Sequence, residues 1–247
     1  MSIAKSFLQP KLRLSAARQR SAEYRRFRAQ NSRRITSPAG LVDDHFRTWS
    51  QSDHINREGF DIALAETHGD PKLIVETGTS AWGTDSTRLW DGYVRNFGGE
   101  FWSVDLSPAP RKRLRKQGCE RTHLVVGDSV TFLDSLVASR AITYVDICYL
   151  DSWDVDWENP VPSAEHGLRE WRAIEPLMRP GSLLIVDDSP VSAEWVPQEF
   201  RSAVSEYENR HGYIPGKGAL IERELKTRPH VRKIWHQYNI VYRFGAD

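Results

Sequence analysis

The decapeptide GSLLIVDDSP, residues 181–190, runs from a glycine through the apolar stretch Leu183–Val186 to two adjacent carboxylates, Asp187 and Asp188. A short apolar run bounded by turn residues reads as a buried strand. Like charges at such spacing repel. Either both acids face water where the strand leaves the core, or something positive sits between them. Upstream, YVDICYLD (144–151) repeats the pattern and ends on Asp151. Between the two, about Ala164 to Met178 places Leu168, Trp171, Ile174 and Met178 on one helical face. Strand, helix and strand in this order build a parallel sheet covered by helices.

Further out, the alternation continues. KLIVE (72–76), EFWSVDL (100–106) and THLVVGD (122–128) read as strands. Ser86 to Arg95, RKRLRKQG (111–118) and TFLDSLVAS (131–139) read as helices. A helical stretch from about Leu41 to His68 precedes them, and TSPAG (36–40) breaks it from an N-terminal arm. RKIWHQYNIVYRF (232–244) holds two short strand-like pieces without a helix between them, which implies an antiparallel edge. The expectation is an α/β, doubly wound, Rossmann-like sheet of about seven strands with an N-terminal helical extension. The division is a basic arm, 1–40, and a catalytic-sized domain, 41–247. Five consecutive strands finish on or beside an acid: Glu76, Asp105, Asp128, Asp151 and the Asp187–Asp188 pair. Ligands of open parallel sheets bind at those strand ends.

The 247 residues, 39% hydrophobic with nine Trp, eight Tyr and nine Phe, exclude a chain disordered throughout. No apolar run approaches the roughly 20 residues of a membrane span, and the N-terminus lacks the apolar core of a secretory signal. Cys119 and Cys148 form no CxxC, so a disulfide framework or thiolate zinc site is not expected and a cytoplasmic setting is. Residues 1–34 hold ten Lys/Arg and one acid, a net +9, which leaves 24 bases against 32 acids, −8, in the remainder. Such an arm reads as a solvated helix lying on the acidic body or linking subunits of a homo-oligomer. A contact with an anionic polymer or membrane surface and a transit peptide are the other readings.

IVETGTSAWGTDST (74–87) joins the first strand to a helix through Gly78, where the backbone can turn tightly. It is not GxGxxG, and Glu76 stands where a pyrophosphate would need to sit. A carboxylate there repels phosphate and welcomes an ammonium. Asp105 suits the two hydroxyls of a ribose. Asp128 and Ser129, in GDS (127–129), suit an adenine edge. Together these describe a pocket for a positively charged adenosine without phosphates, and S-adenosylmethionine answers that description.

The motifs VETG, FWSVD and GDS resemble those of the class I S-adenosylmethionine-dependent methyltransferases. Within them, YLDS (149–152) followed by PLMRPGSLLIVDDSP (176–190) resembles the metal-dependent O-methyltransferases of the caffeoyl-CoA, catechol and macrocin types. The likeness covers roughly residues 70–190. It implies a cofactor site of Glu76, Gly78, Thr79, Ser80, Asp105, Leu106, Asp128 and Ser129. It implies a metal site of Asp151, Asp187 and Asp188, with Asp151 and His166 catalytic. The chemistry agrees: three carboxylates are hard oxygen donors that suit Mg²⁺, Mn²⁺ or Ca²⁺. His166, near a helix start, would be kept neutral by the dipole and act as general base. The sequence departs from the pattern in a glycine loop, Gly78 to Gly83, one residue longer than in the catechol type. It departs again in the insertion WDVDWENPVP (153–162).

That insertion pairs Trp153 and Trp157 with Asp154, Asp156 and Glu158, the composition of a sugar site or of a solvated acidic loop. Asp154 or Asp156 could also replace a metal ligand. GYIPGKGAL (212–220) reads as a mobile lid or a plain connector. The function expected is metal-assisted O-methylation of a sugar, a glycosylated metabolite or another small polyhydroxylated acceptor. Two rivals remain at this stage. One is a metal-dependent glycosyltransferase using DVD (154–156). The other is a non-catalytic protein that binds nucleic acid or membrane through its arm.

Overall fold

The computed structural model describes residues 35–79, 83–114 and 117–245. Residues 1–34, with the basic arm, and Ser80 of the expected cofactor site lie outside them. Helices α1 (Pro38–Thr48) and α2 (Arg57–Ala65) come first. Then β1 (Lys72–Thr77), α3 (Ser86–Phe97), β2 (Gly99–Asp105), α4 (Pro108–Leu114) and β3 (Thr122–Val126) alternate. The alternation runs on through α5 (Ser129–Ser139), β4 (Val145–Leu150), α6 (Val161–Ile174) and β5 (Met178–Val186). Helices α7 (Arg201–His211) and α8 (Ala219–Leu225) lead to β6 (Val231–His236) and β7 (Ile240–Phe244).

The seven strands form one sheet in the order β3-β2-β1-β4-β5-β7-β6. β1 to β5 are parallel, and β7 enters antiparallel to β5. The expected antiparallel edge is therefore a hairpin whose second strand docks on β5 and whose first strand is outermost. Strand order reverses between β1 and β4, the switch point at which such sheets open a crevice. Thr77 is in register with Leu150, and Leu150 with Val186. Gly78, Asp151 and Asp187 therefore leave the sheet side by side.

Alternating side chains on β4 serve the two faces. Cys148 and Leu150 enter a core with Leu133 and Leu136 of α5 and Trp171 and Ile174 of α6. Tyr149 points the other way, with ring centroids 5.3 Å from Phe60 and 6.2 Å from Trp90. Each such side chain removed from water contributes roughly 1.5–3 kcal/mol. This apolar layering is what holds the strand ends still.

Two expectations of local structure change. The stretch read as one helix from 41 to 68 is α1 and α2 joined by residues 49–56. TSPAG is the start of α1: Ser37 Oγ accepts the Gly40 N–H at 3.1 Å, and Pro38 occupies the first turn, where its missing N–H costs nothing. GYIPGKGAL is no lid. Its segment from Pro215 to Ala219 is buried, and Lys217 is fully so.

Candidate active site

Two cavities flank the turn Asp151–Ser152. The first, about 530 Å³, is lined by Gly78, Asp105, Leu106, Asp128, Ser129, Ser152, Trp153, His166 and Arg169, among others. Gly78 has φ +85°, and a Cβ there would lie 2.1 Å from the carbonyl oxygen of Asp151. Only glycine lets β1 turn this close to β4. Asp105 accepts the N–H of Thr79 at 3.1 Å and of Ser107 at 2.6 Å, which fixes both loops around it. Asp128 caps α5 by accepting the Thr131 N–H and hydroxyl, both at 2.9 Å. Those bonds hold its carboxyl below the usual range.

Glu76 is absent from this lining. Its carboxylate is fully buried and accepts hydroxyls of Ser86, Thr87 and Ser103, each at 2.6 Å. Burial pushes its pKa up to about 7, against the three hydroxyl bonds. The ammonium-receiving role expected of it does not suit a group closed off in this way. Thr79 is buried too, its hydroxyl 2.7 Å from that of Ser103.

The second cavity, about 650 Å³, is lined by Asp151, Asp154, Asp187 and Asp188 together with His54, Asn56, Trp195, Arg201 and Tyr238, among others. The question raised by the paired acids has part of its answer here: Lys217 bridges Asp188 to Asp151, while Asp187 takes neutral side-chain donors. The Lys217 ammonium lies 2.7 Å from Asp151 Oδ1 and 3.5 Å from Asp188 Oδ2. Tyr149 donates its hydroxyl to Asp187 Oδ2 at 2.6 Å, with Asp151 Oδ2 at 3.1 Å. Asn56 Nδ2 reaches both Asp187 oxygens at 2.8 Å, and Tyr238 donates to Asp188 Oδ1 at 2.8 Å. Asp188 has φ +44°, a left-handed conformation that costs a non-glycine residue about 1–3 kcal/mol and tends to mark functional sites. The Lys217 N–H, donated to the Asp188 carbonyl at 2.9 Å, helps to hold it there.

Comparisons with known proteins bear on this arrangement. No family model matches the sequence, and no curated protein is similar to it. Among solved structures, the methyltransferase MycE from the mycinamycin biosynthetic pathway, in complex with Mg, SAH and mycinamycin VI, superposes with a TM-score of 0.56 at 16% identity. The match covers 86% of this chain and 55% of MycE, so the chain spans about half of that protein's length. The O-methyltransferase from Bacillus cereus in complex with SAH is matched at a TM-score of 0.48 and 12% identity, over 83% of this chain and 90% of that one.

The fold is that of the class I methyltransferases. In its terms, the first cavity opens beside the switch point and the second over the ends of β4 and β5. Six of the expected cofactor and catalytic positions, Gly78, Asp105, Leu106, Asp128, Ser129 and His166, share the first cavity. The three expected metal ligands share the second.

His166 lines the first cavity, not the second one with the acids. Arg169, which can only donate, points Nη2 at His166 Nδ1 at 3.3 Å. The ring proton is then on Nε2, which faces Ser129 Oγ at 3.1 Å, Ser152 Oγ at 3.0 Å and Glu170 at 3.3 Å. With both nitrogens engaged, the ring has no free lone pair for a general base. The insertion also divides. Trp153 stacks near His166, with centroids 5.0 Å apart on the first cavity, whereas Trp157 is buried with Val196 and Val204. Asp154 reaches the second cavity, but Asp156 Oδ1 is spent on the N–H groups of Glu158 and Asn159. DVD is therefore not a paired metal motif.

The carboxylate oxygens lining the second cavity are of the donor type that suits a hard divalent cation. Three carboxylates face one ammonium, a formal excess of two negative charges. Burial and mutual repulsion raise the pKa of Asp151 and Asp187, and the three acids raise that of Lys217. Asn56 Oδ1, on the same lining, is buried without a hydrogen-bond partner among the described residues. Among those residues, no three His, Cys, Asp or Glu side chains are yet gathered closely enough to cage an ion. Sequence reasoning missed His54, Asn56, Tyr149, Lys217 and Tyr238. All come from loops or the opposite sheet face, and no local motif marks them.

Proposed function

We propose that this chain is an S-adenosylmethionine-dependent, divalent-metal-assisted O-methyltransferase acting on a small polyhydroxylated acceptor, with a sugar or glycosylated metabolite as the first candidate. The observation that carries the reading is the pair of cavities on either side of Asp151–Ser152, one edged by Asp105 and Asp128 and the other by three acids. That MycE, of the same fold, is solved with Mg, SAH and mycinamycin VI supports it.

S-adenosylmethionine supplies an electrophilic methyl group, and a hard divalent cation supplies Lewis acidity that lowers the pKa of a hydroxyl. Asp105 would accept the ribose hydroxyls, Gly78 and Leu106 would border the adenosine, and Ser129 and Trp153 would meet its base. Asp151, Asp187 and Asp188 would hold the cation. Trp195 offers a flat apolar face to an acceptor ring. Asp154, exposed on the same wall, would take the hydroxyl proton as the oxygen–carbon bond forms and the carbon–sulfur bond breaks. His54 accepts the Asn56 N–H through Nδ1 at 3.2 Å, which leaves its Nε2–H to donate to the acceptor. Alignment of the two reactants across the Asp151–Ser152 turn is the main service of the protein.

A mass-spectrometric screen of polyhydroxylated acceptors, run with S-adenosylmethionine and either Mg²⁺ or EDTA, tests this. Products heavier by CH₂ are expected with Mg²⁺ and reduced at least tenfold in EDTA. Transfer that is equal in both refutes the metal, and binding of a UDP-sugar without S-adenosylmethionine refutes the whole reading.

A further inference from the structure

Lys217 is built into the acid site more thoroughly than a chance surface contact would require. Its side chain is fully buried, although a lysine is rarely so unless paired. The chain is threaded through glycines. A Cβ at Gly216 would lie 2.5 Å from the Asp188 carbonyl oxygen, and one at Gly167 of α6 would lie 2.6 Å from that of Lys217. One at Gly218 would meet Ser189 Oγ at 2.5 Å, the atom that accepts the Gly218 N–H and donates to the Asp187 carbonyl. The ammonium approaches the acids from beneath, because Lys217 is not part of the cavity lining whereas Asp151 and Asp188 are. Three carboxylates this close would otherwise drive one another apart.

We propose that Lys217 is a tethered counter-cation that ties Asp151 to Asp188 before any divalent ion or acceptor arrives. The inference rests on the reading of those acids as a cation site, and it goes beyond it. The ends of β4 and β5 that carry these two acids are thus held together without metal. Lys217 is a positioning residue: it touches the acids, not the reacting atoms.

Thermal unfolding in EDTA, of the full chain without cofactor or acceptor, tests the idea through a double-mutant cycle. Lys217→Met keeps length and removes charge, leaving Asp151 and Asp188 without their cation, and should lower Tm by roughly 10 °C. Asp188→Asn in the Lys217→Met background returns the formal count to two negative charges and should recover a good part of that loss. Mg²⁺ or Mn²⁺ should raise Tm of Lys217→Met by more than it raises that of the wild type. A double variant no more stable than Lys217→Met, whether or not the latter folds, overturns the proposal, since simple packing losses add. So does a Lys217→Met protein as stable as wild type, or one whose loss no divalent ion reduces. None of these readouts involves methyl transfer, so they are decided apart from the enzyme reading.

Discussion

At the end of β1, the Glu76 carboxylate accepts three hydroxyls and meets no solvent. Its pKa rises from the ordinary 4.5 to about 7, chiefly because burial penalises the charge. The folded state therefore binds this proton more tightly than the unfolded state. Stability from this group is present below pH 4.5 and is lost as pH climbs from 4.5 to about 7. The loss has an upper bound on the order of 3 kcal/mol. His45 acts in the opposite sense. It is fully buried, faces the Thr84 carbonyl through Nε2 at 2.8 Å, and has a pKa lowered to about 4 by burial. The fold keeps it neutral, so its contribution is whole above pH 6.5 and is lost as pH falls toward 4. The two slopes partly cancel in wild type. Glu76→Gln should uncover the His45 slope, so that in urea unfolding the variant gains on wild type from pH 5 to about pH 7 and the difference then levels off. A difference between the two proteins that does not change with pH would mean that Glu76 is ionised throughout. The sequence placed Glu76 correctly at a strand end but gave it a ligand. Ser86, Thr87 and Ser103, which close it in, come from α3 and β2, and their convergence depends on the packed sheet.

The elements that were legible are those whose pattern is local. Each of β1 to β5 has an apolar run with an acid at or just beyond its end, and the helices between them, apart from the short basic α4, have one apolar face. Their alternation is enough to infer a parallel sheet. Register supplies what patterning does not: Thr77, Leu150 and Val186 lie level, and this brings Asp151 beside Asp187. What was illegible sits where elements meet. The turn between α1 and α2 carries His54 and Asn56 to the acids, and the buried GKG segment carries Lys217, both from far along the chain. Gly59 in α2 is the sharpest instance. A Cβ there would lie 2.1 Å from Asn239 Oδ1, and Asn239 is itself fully buried in the β6–β7 turn, with Nδ2 3.4 Å from the Asn56 carbonyl. Gly59→Ala should gain up to about 1 kcal/mol of helix propensity and lose more to overpacking, a net cost of roughly 1–2 kcal/mol. The displaced Asn239 should disturb Asn56, the donor to Asp187. Urea unfolding that shows Gly59→Ala to be more stable than wild type would mean that α2 does not press on the hairpin in this way.

Across the whole molecule, two cavities are assembled from different parts of one sheet and share a single turn. The first cavity is framed by β1, β2 and β3 with α5 and α6. The acid side is framed by β4 and β5 with the α1–α2 turn, the loop before α7 and the β6–β7 hairpin. The two linings share no residue and come next to each other along the chain at Asp151–Ser152 and at Trp153–Asp154. Damage to one side should therefore spare the other. Calorimetry with S-adenosylhomocysteine should find Asp188→Asn within about twofold of wild-type affinity, because Asp188 touches nothing in the first cavity. Asp105→Ala should weaken binding by ~10–100-fold, the usual worth of a charged hydrogen bond. Gly78→Ala should impair both sides at once, since its Cβ would collide with the Asp151 carbonyl that forms the shared wall. Its cofactor affinity should fall with that of Asp105→Ala, and its acid cluster should lose its geometry together with Asp151. If Asp188→Asn loses as much affinity for S-adenosylhomocysteine as Asp105→Ala, the cavities are one site and the division of labour across the sheet is wrong. If Gly78→Ala binds normally, β1 does not need glycine to pass β4, and the turn is not the hinge of the architecture.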